Sequence, residues 1–462
     1  MLALANPGSA HAHGLVGRTD LPIPEWLFGW GATVVLVVSF VALGALWRRP
    51  LLERASWRAL PARLGRVLTS PVVEMVCGAI GVALLALVVY AGLEGAPRVD
   101  QNMAPTFVYV VFWLGFVPLS LLFGDVYRLF NPWRAVGRAV ARIAGPLAGP
   151  PPLRYPRWMG RWPAVVGLMG FAWLELVSTR GDRPSVIALA VVVYSALTWL
   201  AMFLFGVERW TRDGDAFSVY FNLLSRVSIF DRRGRRIGVR TPLSGLTTVK
   251  QLPGTVAFVA VMIGTVSFDG FSGGATWQQT VLPLLLDPLR SFELGPADAL
   301  QIAYTAGLVG MVALTFGLYR VAVAGAASLA GRYPAAQLAK AFAHSLVPIA
   351  VAYVGAHYVS LLLLQTQAMG ALASDPLGNG ADLFGTAAWT VDLGWISAET
   401  FWYLQVGMVI AGHVGALALA HDRALVLYDD TRATVRSQYW MLAVMIAFTS
   451  LALWLLSEAN KG

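Results

Sequence analysis

The stretch PVVEMVCGAIGVALLALVVYAG, from Pro71 to Gly92, decides the fold. It carries one charge, Glu74, and shows no alternation of apolar and polar residues. At about 1.5 Å of rise per residue, a helix of this length spans the roughly 30 Å hydrocarbon core of a bilayer. Inside hydrocarbon the backbone must satisfy its own hydrogen bonds. A continuous apolar run does so as a helix, whereas a barrel strand would alternate.

Comparable runs recur at 26–47, 106–123, 162–178, 185–206, 253–268, 300–323, 341–363, 399–420 and 437–457. The 462-residue chain is 57% hydrophobic and 13% charged, about half the charge of a soluble protein. These features predict an all-α polytopic transmembrane bundle of about ten spans over residues 26–457, between a segment 1–25 and a tail 458–462. Runs 162–178 and 253–268 are short for a crossing. The one cysteine, Cys77, cannot form an internal disulfide.

Basic residues set the orientation. Segments 48–70, 124–161, 207–252, 320–340 and 421–436 hold 28 of the 34, and the alternate segments hold six. The positive-inside rule puts the first set in the cytoplasm and both termini outside. The net charge of +9 then reports topology rather than nucleic-acid binding, and the expected partner is the lipid bilayer.

Three further readings concern the connections. WTRDGDAFSVYFNLLSRVSIFDRRGRR places Phe217, Phe221 and Leu224 at helical spacing, which predicts an interfacial amphipathic helix and then a basic loop. Asn131-Pro132 reads as a helix stop followed by a new helix, and Asp125 is positioned to pair Arg128. Two long outer loops, 267–298 and 365–398, contain aromatic residues and short apolar runs. Loops of this length usually bind or gate, so these are expected to fold over the outer mouth.

The chemistry rests on histidines. GHVGALALAHDRALVLYDD (412–430) puts His413 and His421 into the ninth span, and the eighth carries His344 and His357. Intramembrane ionisable groups are costly and often functional. Antiparallel packing would allow His344 to meet His421, or His357 to meet His413, and the deeper pair, His357 and His413, is the stronger candidate. Paired haem b sites use histidines about 13 residues apart on both helices. One helix here has that spacing and the other has eight, so haem is half matched. A single haem or a divalent metal or copper site are the other cofactor readings. Pro348 cannot donate to the carbonyl of His344 and should kink the helix there. Glu74 and Glu175 lie within spans as proton carriers or interhelical partners. His11 and His13 form a His-x-His that can bind metal, and the preceding AHA has the form of a signal-cleavage site. No Walker loop, dinucleotide fingerprint, HExxH, GxSxG or CxxC occurs.

Taken together, HGLVGRTDLPIPEWLFGW, SFDGFSGG, SDPLGNGADLFGT and GHVGALALAHDRAL resemble a family of bacterial membrane proteins labelled fenitrothion hydrolase. The resemblance implies a bacterial inner-membrane enzyme that cleaves a P–O–aryl bond of organophosphate triesters, with a second, homologous membrane subunit. Such chemistry needs an activated water and charge stabilisation, which a divalent metal would supply. The available ligands are the histidines and the outer acids Asp269, Asp375, Asp382 and Asp392, with His357, His413 and Asp269 as candidate catalytic residues. The competing classes are a metal or haem protein for copper handling or electron transfer, and a transporter whose histidines relay protons.

Overall fold

The computed structural model describes residues 25–145, 149–428 and 431–459. His11 and His13 lie outside the described residues. Among those described, nine helices are long and apolar enough to cross a membrane. The protein is an all-α, multi-pass membrane bundle.

In chain order the main helices are α1 (Glu25–Leu46), α2 (Pro71–Glu94), α3 (Met103–Phe123), α4 (Pro132–Ala144), α5 (Trp162–Leu176) and α6 (Pro184–Phe205). Then come α7 (Ala216–Ser225), α8 (Thr255–Ser272), α9 (Pro296–Ala330), α10 (Val347–Gln365), α11 (Ala398–Leu427) and α12 (Tyr439–Ala459). Their starts follow local chemistry. Ser70 Oγ accepts from Val73 N at 3.2 Å ahead of Pro71, and Asn131 Oδ1 accepts from Arg134 N at 2.8 Å ahead of Pro132. The second is the new helix that Asn131-Pro132 announces.

Of the ten expected spans, nine reach crossing length and α5, with 15 residues, does not. Its ends still meet opposite sides of the bundle. Arg161 N donates to Pro253 O at 2.7 Å on the basic side, and Gly181 O accepts from Tyr109 Oη at 2.7 Å on the other. On α6, Leu189, Val193, Leu197 and Leu200 stand exposed at helical spacing, a stripe for lipid.

The segments richest in arginine come together. β1 (Arg58–Ala59) pairs antiparallel with β3 (Arg236–Val239), which pairs with β2 (Phe230–Arg233). Glu74 joins α2 to α4 through Arg138 at 2.6 Å and to the hairpin through Arg232 at 3.0 Å, the structural role among its two readings. This small sheet was not foreseen.

Three expectations are corrected. Residues 216–225 are not an interfacial helix: Phe217, Phe221 and Leu224 are buried, with Trp113 stacked on Tyr220 at 4.4 Å and Phe221 against Tyr127 at 4.7 Å. Val219, Tyr220 and Leu223 make the helix apolar all round, so α7 is a core element. Asp125 accepts from Asn222 Nδ2 at 2.9 Å instead of pairing Arg128, which reaches Glu208. The stretch 267–298 is not a plain loop. α8 runs to Ser272, and helical turns Trp277–Val281, Leu282–Leu286 and Asp287–Phe292 follow. Trp277, 1% exposed, pins this segment against Phe268 and Tyr304.

The other long loop does dock in its first half. Leu377 O accepts from Ala96 N at 2.7 Å and Pro376 O from Met103 N at 3.2 Å, and buried Ser374 gathers Asp382 Oδ1 and the amide of Phe384. Its second half exposes Phe384, Trp389, Leu393 and Trp395.

Candidate functional site

α8 is the most enclosed span among the described residues, buried along most of its length, and it packs on α5, α9, α10 and α12. Asp269 lies one turn from its end. A carboxyl group in such surroundings needs a partner, and His357 of α10 supplies it, with Nε2 2.9 Å from Asp269 Oδ2. The side chains are 13% and 8% exposed. Tyr358 also bonds Asp269, and its ring stands 4.6 Å from that of His357. Glu175 of α5, half-buried, acts electrostatically on Asp269, Tyr109, Tyr220 and Tyr358. Asp269, His357 and Tyr358 are thus in direct contact, and Glu175 lies within electrostatic range of Asp269 and Tyr358.

Beside them is a narrow cavity lined by Ser267, Gly270, Tyr353, Ala356, His357, Val409 and Leu455, among others. About 20 Å³ is open to water centres, room for one or two molecules. The imidazole lies directly against Gly270: a Cβ there would stand in ordinary contact, 3.5 Å from His357 Nδ1.

The four membrane histidines separate. α10 and α11 are close neighbours, as expected. Gly412 faces Ala352 and the Pro348 carbonyl, and Gly355 faces Met408. This register sets His357 and His413 about two turns apart, roughly 10 Å along the axis, and no hydrogen bond joins them. His413 is fully buried. Its Nδ1 meets Val409 O at 2.7 Å, and Nε2 has no hydrogen-bond partner. His344 and His421 sit at nearly the same level without pairing. His344 is buried in a 3-10 turn, Ala343–Leu346, which is how the break before Pro348 is realised, and neither ring nitrogen makes a well-formed hydrogen bond.

His421, beside Asp422 and Arg423, is buried rather than solvated. It is 2% exposed; Nε2 donates to Trp47 O at 3.0 Å and Nδ1 accepts from Gln438 Nε2 at 3.2 Å. Asp422 accepts four bonds, from Trp47 Nε1, Leu51 N, Leu52 N and Glu53 N. Arg423 pairs Glu53 at 2.8 Å and bonds Thr247 O. Burial raises the Glu53 carboxyl above its ordinary value; Arg423 opposes this and Asp422 adds to it. These residues latch α11 to the end of α1, a role that sequence reading missed.

The donor chemistry bears on the cofactor readings. Both ring nitrogens of His421 are committed, so a haem axial role would break the latch. Asp269 and His357 hold each other. Among the described residues no group of three or more His, Cys, Asp or Glu side chains could hold a metal ion. The other outer acids serve turns: Asp375 accepts from Asn379 N and Gly380 N, Asp382 from Ser374 Oγ and Ala387 N, and Asp392 from Gly394 N. What the arrangement supplies is a buried acid–base pair beside a small, mostly apolar cavity.

No protein-family model, no curated protein and no solved structure matches this chain.

Proposed function

We propose that this protein is a proton-coupled transporter, seated in a bacterial inner membrane, with Asp269 and His357 as its proton-binding pair. The observation that carries this reading is their 2.9 Å contact on the most enclosed helices. Hydrocarbon penalises ionisable groups, and those kept within spans mark ion and proton pathways. Imidazole exchanges protons near neutral pH. A proton entering from the cavity reaches His357, Asp269 stabilises the resulting charge, and Glu175 is the next acceptor within electrostatic reach. In liposomes with a trapped pH dye and an imposed gradient, substrate-independent proton leak through the protein should dissipate the gradient faster than in empty liposomes. Asp269→Asn and His357→Gln should remove that difference. Equal rates for all three proteins would refute the reading.

The cavity at His357 also favours a second reading, hydrolysis of organophosphate triesters. SFDGFSGG, one of the stretches resembling fenitrothion hydrolase, contributes Ser267, Asp269 and Gly270 to this site. Oriented by Asp269, His357 would take a proton from water in the cavity. The water oxygen would bond to phosphorus, the P–O–aryl bond would break, and the aryl oxide would leave with the electron pair and collect the proton. Nitrophenol release from a nitrophenyl phosphotriester, present in the native protein and lost in Asp269→Asn, would favour this reading over transport. It also carries a second membrane subunit, which co-purification would reveal.

A further inference from the structure

The basic side holds a buried arginine that has no ion pair among the described residues. Arg161 precedes α5 and is 7% exposed. Among the described residues its one side-chain hydrogen bond runs from Nη1 to Thr255 Oγ1 at 3.3 Å, and Nε is buried without a partner. The carboxylate that acts on it, Asp213, is already held at 3.1 Å by both Arg209 and Arg212. Arg226 adds a second positive charge nearby. It bonds Thr248 Oγ1 at 2.7 Å, Asn222 Oδ1 at 3.2 Å and Gly245 O at 3.4 Å. Burial pushes the Arg161 guanidinium down to about 10, with Arg226 acting in the same direction and Asp213 against it.

Two helices begin beside this arginine. A Cβ on Gly254 would stand 2.9 Å from Trp162 N, so the starts of α5 and α8 touch. Neither start has a side-chain cap. Helix N-termini carry partial positive charge and favour anions. A buried cation without a paired counterion is strongly unfavourable. Here Arg161, Arg226 and the two helix starts meet; Asp213 acts on Arg161 and Asp125 and Asp231 act on Arg226, but among the described residues no carboxylate forms an ion pair with either arginine. Trp158 and Trp162, 71% and 47% exposed, flank Arg161 and mark the level of lipid headgroups.

We propose that Arg161, with Arg226 and the adjoining starts of α5 and α8, binds a phosphate-class oxyanion. The flanking tryptophans favour the headgroup of an anionic phospholipid as its source. The guanidinium fork suits phosphate oxygens.

Thermal melting of the full, delipidated protein in detergent tests this. Phosphatidylglycerol should raise the melting temperature and phosphatidylcholine should not. A rise with inorganic phosphate alone would mark a soluble anion as the source. Arg161→Gln should raise the phosphatidylglycerol concentration for a half-maximal shift about tenfold, the loss of one charge-assisted contact. Arg161→Lys should retain part of the response, and Arg98→Gln, altered at an exposed arginine on the other side, all of it. Should Arg161→Gln not fold, Arg226→Gln gives the same readout. The proposal is overturned if neither anion shifts the native protein, or if the Arg161 and Arg226 variants respond as the native protein does.

Discussion

Asp422 of α11 and Trp47, just past the end of α1, are joined by a 2.9 Å bond from the indole nitrogen to Oδ1. The same carboxylate takes the amides of Leu51, Leu52 and Glu53 at 2.6, 3.2 and 2.7 Å. One buried group therefore turns the chain as it leaves the first span. Asp422→Ala strands four donors at once. The cost should be about 3 kcal/mol or more, since each buried unsatisfied group costs roughly 1–3 kcal/mol. Thermal melting of the purified variant checks this; Trp47→Phe, which removes one donor, should cost about 1 kcal/mol.

Gly412 should tolerate no side chain. A Cβ there would lie 2.3 Å from Ala352 Cβ and 2.6 Å from the Pro348 carbonyl oxygen. The carbonyl is backbone and cannot swing away, so Gly412→Val must part α10 from α11. Overpacking costs about 1–3 kcal/mol, read as lower yield of folded protein and a lower melting temperature. Gly407→Ala, on the same helix with open space beside it, should behave as the native protein.

Helices were legible in the sequence because lipid-facing and core residues are both apolar, so runs such as 71–92 announce themselves. Partner choice was not. Asp269 read as the start of a loop because its charge ends the apolar run, while the residue that lets the helix continue, His357, is 88 positions away. His357 and His413 were rightly placed on neighbouring helices, but their relative level depends on which glycines touch, Gly412 on Ala352 and Gly355 on Met408. The stripe Phe217, Phe221, Leu224 was visible, and the apolar residues on the opposite face of α7 already argued for burial. The latch at Asp422 joins residues some 370 positions apart and leaves no local pattern.

Glu53 gives a pH dependence of known sign. Its carboxyl is raised above the ordinary value, first by burial. The folded protein therefore binds this proton more readily than the unfolded chain does. The resulting stability is present below the unfolded value and is lost as pH rises through the raised folded value. Melting temperatures across this acidic window should fall with rising pH for the native protein relative to Glu53→Gln. Parallel profiles would show that Arg423 cancels the effect of burial.

The outer segment 374–396 should divide under protease. Up to Ala387 it is tied down by Ser374, Asp382 and the docking of Leu377 on Ala96. Beyond it, Trp389, Leu393 and Trp395 are exposed, and the chain is held at Asp392, whose amide donates to Gln367 Oε1 at 3.0 Å. Cleavage in vesicles with this face outward should concentrate at 388–396 and spare 374–386. Reporter fusions after Arg236 and after Gly380 should fall on opposite sides of the membrane.

The buried pair Asp269–His357 should show strong energetic coupling. Asp269→Asn keeps the shape and removes the charge, and His357→Leu leaves Asp269 in an apolar bundle without its imidazole. Each single change should cost about 2–4 kcal/mol, because a buried charge or polar group loses its partner. The double variant Asp269→Asn/His357→Leu should cost less than the sum of the two, by about 1–3 kcal/mol, the range for residues in direct contact. Tyr358 can still donate to the amide oxygen that replaces the carboxylate in that background, which limits the loss. The decisive comparison sets unfolding midpoints against the function assay. If the pair serves only packing, Asp269→Asn should lower stability and leave the activity per folded molecule unchanged. A fully folded Asp269→Asn protein without activity is the outcome that the acid–base role requires.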